Sequence, residues 1–322
     1  NGWLETAETR QQSFAFDDGL GSAQAVSEQP ASAAIRLDEA HEVALGSGVV
    51  MAILDTGIDA HHPMLRNAYA GGWDFVDGDA DPTDARDFVD NDGDGLVDEG
   101  FGHGTHVAGI MHLVAPEARL LVVRVLDSDG RGDILDIAAG VRWAVDHGAK
   151  ILNLSLGSLK GSDALQNALA DAENRGVVVI SSAGNWGAES PVEFPARSSH
   201  VAAIAAVDAA AYPATFSSFG SIVALSAPGV GVRSAYPGGG YRLWSGTSMS
   251  APFVAGTAAL LVEVHPTWTL SQVMQRIEST TGPVMGSADD FGAGALNAGA
   301  ALAPDRRSHV DDVPVPEVLR RH

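Results

Sequence analysis

The chain contains no cysteine, which rules out disulfides and thiol chemistry while leaving the compartment open. Basic residues are scarce: 19 Lys and Arg stand against 41 Asp and Glu, for a formal net charge of -22 and a pI near 4.6. That balance argues against nucleic acid and anionic membrane surfaces as partners, and it suits cation binding. No run of 18 or more apolar residues occurs, because Gly, Pro or charge interrupts each candidate, so a membrane-spanning helix is not expected. No segment repeats at a fixed period. What is present is 322 residues, 45% of them hydrophobic, enough for one large domain or two small ones. The first residue is Asn1, which implies a processed chain or a fragment, with any signal peptide outside it.

From about residue 49, short β-branched runs alternate with helical stretches. VVMAIL (49–54), RLLVVRVL (119–126), KILNLSL (150–156) and VVVISS (177–182) read as strands. GDILDIAAGVRWAVDHG and GSDALQNALADAENRG carry apolar residues at helical spacing and close on Gly. Continuous apolar strands separated by helices imply an α/β fold: a doubly wound, mostly parallel sheet with helices on both faces. A smaller strand-rich part follows (VAAIAAVD, IVALSAPG, VRSAY), then a long helix from near Thr247 and a last helix near 270–280. The domain is placed at residues 31–303. Residues 1–30 are polar and read as an N-terminal extension, either a linker or the end of a propeptide. Residues 304–322, rich in Pro and charge, read as a flexible C-terminal tail or linker.

Three polar positions stand where such a fold exposes side chains. Asp55 directly follows the strand VVMAIL, in LDTGID, at the carboxyl end where open α/β sheets place their sites. His103, in GHGTHVAG, opens a helix between Gly102 and Gly104. Ser248, in SGTSMSAP, opens the helix SMSAPFVAGTAALLVEV, in a backbone field that favours developing negative charge. Serine is a weak nucleophile at neutral pH and needs a base, which needs an orienting acid. Taken singly, each block has a bland explanation: a turn-forming Asp, a structural His, a capping Ser. In this order and with these surrounding letters, the combination is specific.

LDTGID, GHGTHVAG and SGTSMSAP resemble the three signature blocks of the subtilisin-like serine proteases, whose order of acid, base and nucleophile is the same. The likeness runs from about residue 31 to 303 and includes NLSLG (153–157), SSAGN (181–185), FPA (194–196) and APG (227–229). The resemblance implies that Ser248 attacks the peptide carbonyl, that His103 takes and returns the proton, and that Asp55 orients the imidazole. It implies Asn185 as side-chain donor to the oxyanion, beside the backbone N–H of Ser248. Substrate then lies extended between two edges, Leu154, Ser155, Leu156 and Gly157 on one side and Gly130, Arg131 and Gly132 on the other. The second edge begins an Arg-Gly-Asp tripeptide, an integrin-binding motif that arises often by chance.

By the same resemblance, the pocket for the side chain before the cut lies between the NLSLG and SSAGN strands, with Ser182, Ala183 and Gly184 on its second wall. Aligning Phe194 and Pro195 with the family's aromatic-Pro pair puts Glu193 at the pocket floor, where the best-known members carry a small residue. A carboxylate there attracts Arg or Lys through a charge-assisted bond; the alternative is that Glu193 turns to solvent. Trp186 is a candidate wall of the same pocket.

Residues 77–99 hold ten carboxylates, nine Asp and Glu99, against the single Arg86, a density that calls for water or a cation. Asp90, Asp92 and Asp94 followed by Gly95 match the start of a calcium loop, with the Leu96 carbonyl and Asp98 or Glu99 as the next ligands. The loop is not a complete EF-hand, because its twelfth position is Phe101 rather than a bidentate Glu. A structural Ca2+ is expected here, bracing the segment that carries His103, all the more because IMHLVAPEARL lacks the calcium loop that interrupts this helix in many subtilisins.

The reading is therefore a secreted serine endopeptidase of broad specificity that accepts basic residues before the cut. Its partners are protein and peptide substrates and an inhibitory propeptide, with monomer as the family default. The rival from another class is a catalytically silent calcium-binding or adhesive protein on the same scaffold. An α/β-hydrolase is disfavoured because GTSMS lacks the GxSxG elbow, and a sedolisin because GHGTH is intact.

Overall fold

The computed structural model describes residues 3–5, 19, 21–187, 192–286 and 290–304. Its strands are β1 (Trp3–Glu5), β2 (Val50–Asp55), β3 (Tyr69–Asp74), β4 (Arg119–Arg124), β5 (Arg131–Asp133), β6 (Ile151–Leu154), β7 (Val178–Ser182), β8 (Ala202–Val207), β9 (Val223–Pro228), β10 (Val232–Tyr236) and β11 (Gly240–Trp244). Its helices are α1 (Ala23–Ser27), α2 (Pro30–Ala34), α3 (Leu37–His41), α4 (His103–Val114), α5 (Ile134–Asp146), α6 (Asp163–Asn174), α7 (Thr247–Val264), α8 (Leu270–Ser279) and α9 (Ala298–Leu302).

The main sheet has seven parallel strands in the order β3-β4-β2-β6-β7-β8-β9, a doubly wound α/β arrangement. Strand side chains alternate between faces, and here both faces are covered. Met51, Ile53, Leu120 and Val122 point into a core shared with α4 and α7. Ala52, Leu54, Leu121 and Val123 point into one shared with α5 and α6. That two-sided burial is why these strands are apolar without interruption. VAAIAAVD and IVALSAPG become β8 and β9 of the same sheet, and VRSAY becomes β10, in an antiparallel hairpin with β11.

Helix α7 is long and apolar enough to cross a membrane, yet 83% of it is buried inside the protein. It is the central core helix. Helix α4 runs unbroken from His103 to Val114, with no inserted loop.

Part of the polar N-terminal stretch packs on this body. Ser22 caps α1 and Val26 is buried. The Gln29 amide donates to the Arg233 carbonyl and accepts from the Arg233 N–H, both at 2.9 Å. A primary amide pairing in this way substitutes for a neighbouring strand on β10, so a residue that reads as polar is an anchor. Residues 21–30 thus dock on the body that was expected to start at 31. The tail 305–322 lies outside the described residues.

Candidate active site

Asp55 ends β2, an interior strand between β4 and β6, and is fully buried. Its Oδ1 lies 2.6 Å from His103 Nδ1 and also accepts the Thr56 N–H at 2.8 Å. His103, also buried, is the first residue of α4. Trp244 closes over it edge-on, with ring centroids 5.4 Å apart, and touches His106 in the same manner at 5.6 Å.

The Ser248 turn is tied to its surroundings by an unusual accounting of backbone groups. Pro252 lies inside α7, and having no N–H it cannot serve the carbonyl four residues before it, which is that of Ser248. The Ser155 hydroxyl donates to that carbonyl at 2.9 Å instead. Ser248 Oγ in turn donates to the Ser155 carbonyl at 3.3 Å. The proline therefore joins the serine turn to the strand end after β6. Asn185 Oδ1 accepts from both the N–H and the hydroxyl of Thr247, at 2.9 and 3.0 Å, which sets the orientation of its amide beside the same turn.

The two segments expected to border the substrate are placed by β6 and β5. Leu154 ends β6, followed by Ser155, Leu156 and Gly157, and Gly130 leads into β5 with Arg131 and Gly132. On this second edge lies the backbone of β1, antiparallel, with Leu4 opposite Gly132 and Glu5 opposite Arg131. The Arg-Gly-Asp tripeptide is not presented as an exposed tip. Asp133 caps α5 by accepting the Leu135 N–H at 2.8 Å.

Glu193 does not turn to solvent. It is 2% exposed, and its Oε1 accepts the Trp186 indole N–H at 2.9 Å. Its carboxylate lies where a side chain on Gly157 or Gly184 would stand, between the walls formed by Leu154 to Gly157 and by Ser182 to Gly184. Phe194 and Ser158 exchange backbone hydrogen bonds at 2.8 Å, holding the segment that carries Glu193 against the first edge.

In the acidic loop, carboxylate oxygens of Asp90, Asp92 and Asp94 lie within 4.8 Å of one another. Asp98 does not join them. Its Oδ1 accepts the N–H groups of Asp87 and Phe88 at 3.0 and 3.1 Å, closing the neck of the loop. Burial, followed by the charges of Asp129, Asp94 and Asp92, pushes Glu99 up to about 7. Buried Asp129, one residue before the Gly130 edge, accepts the backbone N–H groups of Asn91 and Asp98. The loop is thereby tied to the Gly130 segment as well as to the His103 segment.

One acid that sequence reasoning passed over is Asp84. It is buried and accepts from the Gly102 N–H at 3.0 Å, the Thr105 N–H at 3.2 Å and the Thr105 hydroxyl at 2.7 Å. Burial foremost, with Asp55 nearby, pushes its carboxyl up to about 6 despite those donors. Nothing local distinguishes it from the other Asp residues of an acidic stretch.

Comparison with known proteins agrees with this geometry. The sequence profile of the subtilase family matches residues 46–295. The chain is 39% identical over 278 residues to thermitase of Thermoactinomyces vulgaris, covering 83% of this chain and 93% of that protein. It is 41% identical over 265 residues to subtilisin BL of Lederbergia lenta, covering 80% and 91%. Among solved structures, a protease of Pseudoalteromonas arctica superposes with a TM-score of 0.76 at 32% identity, over 83% of this chain and 93% of that one.

Proposed function

Because this chain belongs to the subtilase family, we propose that it hydrolyses peptide bonds in proteins through Asp55, His103 and Ser248. The observation that carries the reading is the 2.6 Å bond between Asp55 and His103 at the carboxyl end of β2, an interior strand of the sheet. Ser248 Oγ attacks the carbonyl carbon while His103 Nε2 takes its proton. Asp55 holds the imidazole tautomer and stabilises the cation that forms. The oxyanion is received by Asn185 and the Ser248 N–H. Collapse expels the amine with the proton returned by His103, and water then releases the acyl group by the same steps in reverse.

Substrate adds as a strand between the 130–132 and 154–157 edges. The antiparallel seating of Trp3–Glu5 on the former supports both that direction and an inhibitory role for the segment that carries it, ahead of residues 21–30, which pack on the catalytic unit. Buried Glu193 supports acceptance of Arg or Lys before the cut, alongside apolar residues.

The all-oxygen cluster of Asp90, Asp92 and Asp94 fits a hard cation, and we assign it to a structural Ca2+. Glu99 and the Leu96 carbonyl are its further candidate ligands. Asp98 is engaged elsewhere. Sites of this moderate kind fill at extracellular calcium levels, which supports a secreted enzyme; it is taken to act as a monomer.

The test is a mass-spectrometric map of peptides released from an unfolded protein in millimolar calcium, comparing this chain with Ser248→Ala. Cuts by the parent that vanish in the variant are expected. Cuts that persist in the variant would overturn the assignment of the nucleophile, and a parent that neither cuts nor reacts with a serine-directed phosphonyl fluoride would favour the silent scaffold.

A further inference from the structure

The helix that carries His103 begins without a capping side chain. Its cap residue is Gly102, at φ 91°, where a Cβ would run into the Tyr236 ring. A helix start leaves four N–H groups without intrahelical partners, and Ser, Thr, Asp or Asn at the cap position ordinarily takes one of them. Here every group in the first turn is served from elsewhere. His103 N–H donates to the Gly100 carbonyl at 3.0 Å. Gly104 N–H donates to Thr56 Oγ1 at 3.0 Å. Thr105 N–H and the N–H of Gly102 itself both go to Asp84.

Asp84 thus occupies the chemical position of a helix cap, although it lies 18 residues before Gly102 in sequence. Its reach extends further. The Thr105 hydroxyl that donates to it accepts the Asp59 N–H at 2.9 Å, and Thr56, which receives Gly104, follows Asp55 directly. One carboxylate therefore ties the turn after β2, which carries Asp55, to the first turn of α4, which carries His103.

Resting on the protease reading above, we propose that Asp84 is a positioning residue for catalysis: it caps the His103 helix from a distance and holds the imidazole in line with Asp55. It touches no substrate. Its second contribution is electrostatic, because a buried anion at the start of α4 favours the imidazolium that forms during the reaction. The titratable groups that face it are Asp55 from β2 and Tyr236 from β10, whose hydroxyl is pushed up by burial and by Asp84, with His103 on the helix it caps.

The experiment compares the parent with Asp84→Asn, normalising rates to active sites titrated with a phosphonyl fluoride. Asn keeps the shape of the side chain but offers one oxygen where the carboxylate offers two. Per-site kcat is expected to fall about 10- to 100-fold with KM within about threefold, and the acid limb of kcat/KM to move down by about half a pH unit. A purely structural role would lower the melting temperature and the titratable fraction without moving either quantity. A folded Asp84→Asn with unchanged per-site kcat and acid limb overturns the proposal.

Should Asp84→Asn not fold, Thr105→Val removes the hydroxyl bond alone and is expected to lower per-site kcat about threefold; no change there also overturns it. The downfield proton NMR signal of the His103–Asp55 hydrogen bond, recorded in Ser248→Ala with and without the Asp84 or Thr105 change, reads the same alignment without turnover. An inactive parent in which that signal still depends on Asp84 would sink the protease reading but keep the alignment. A signal indifferent to Asp84 and to Thr105 would sink the alignment itself.

Discussion

The Trp186 indole donates to Glu193 at 2.9 Å, holding a carboxylate that is 2% exposed in the wall of the candidate specificity pocket. A charge so placed has to be compensated, either by that donor or by a cation entering with the substrate. For substrates with Arg before the cut, Glu193→Gln is expected to lower kcat/KM about 10- to 100-fold, the scale of one charge-assisted bond. With Phe at that position the change should stay within about threefold. Equal effects on both substrates would show that the carboxylate does not read the side chain.

Asn185 faces the Ser248 turn through Thr247. Asn185→Ala should reduce kcat roughly 100- to 1000-fold with little change in KM, a range measured on a subtilisin, a member of this chain's own family. Steady-state kinetics on a short peptide amide decide it, and a loss confined to KM would remove the oxyanion role.

The acidic loop is joined to the His103 segment in sequence and to the Gly130 edge through Asp129. Calcium there should slow local opening and self-digestion rather than alter the chemistry. Chelation is expected to raise the rate of thermal inactivation about tenfold while initial rates before inactivation hold. Asp90→Asn with Asp92→Asn should make the inactivation rate indifferent to calcium. A double variant that responds to calcium as the parent does would place the brace elsewhere.

Asp84 also carries a stability prediction. Its folded carboxyl is raised to about 6, so between pH 4 and 6 the folded state binds more protons than the unfolded chain. The contribution is therefore fully present below the unfolded value and is lost as pH rises through about 6. Relative to Asp84→Asn, in a Ser248→Ala background that prevents self-digestion, the parent side chain should lose at most about 3 kcal/mol between pH 4 and 7. Urea titrations at the two ends of that range test it. A difference independent of pH would mean that Asp84 is ionised throughout.

The amino-acid sequence by itself determined the sheet and the order of the chemistry. VVMAIL is apolar at every position, and KILNLSL at four of seven, because the strands they form are buried on both faces, and that signal is local, readable one residue after another. Asp55, His103 and Ser248 were legible for the same reason: each sits at the junction of an apolar run and a Gly- or Ser-marked turn, within a block of characteristic letters. Tertiary structure decided which way individual polar side chains turn. Glu193 faces inward because Trp186 and the bare backbone of Gly157 and Gly184 receive it. Asp98 leaves the acidic cluster because the Asp87 and Phe88 N–H groups claim it. Gln29 anchors a stretch that reads as a loose extension because its amide meets both the N–H and the carbonyl of Arg233. Asp84, one acid among ten between residues 77 and 99, is singled out only by donors from a helix that starts 19 residues later. A carboxylate's role is set by the partners around it, and those partners come from segments that adjoin only once the chain has folded.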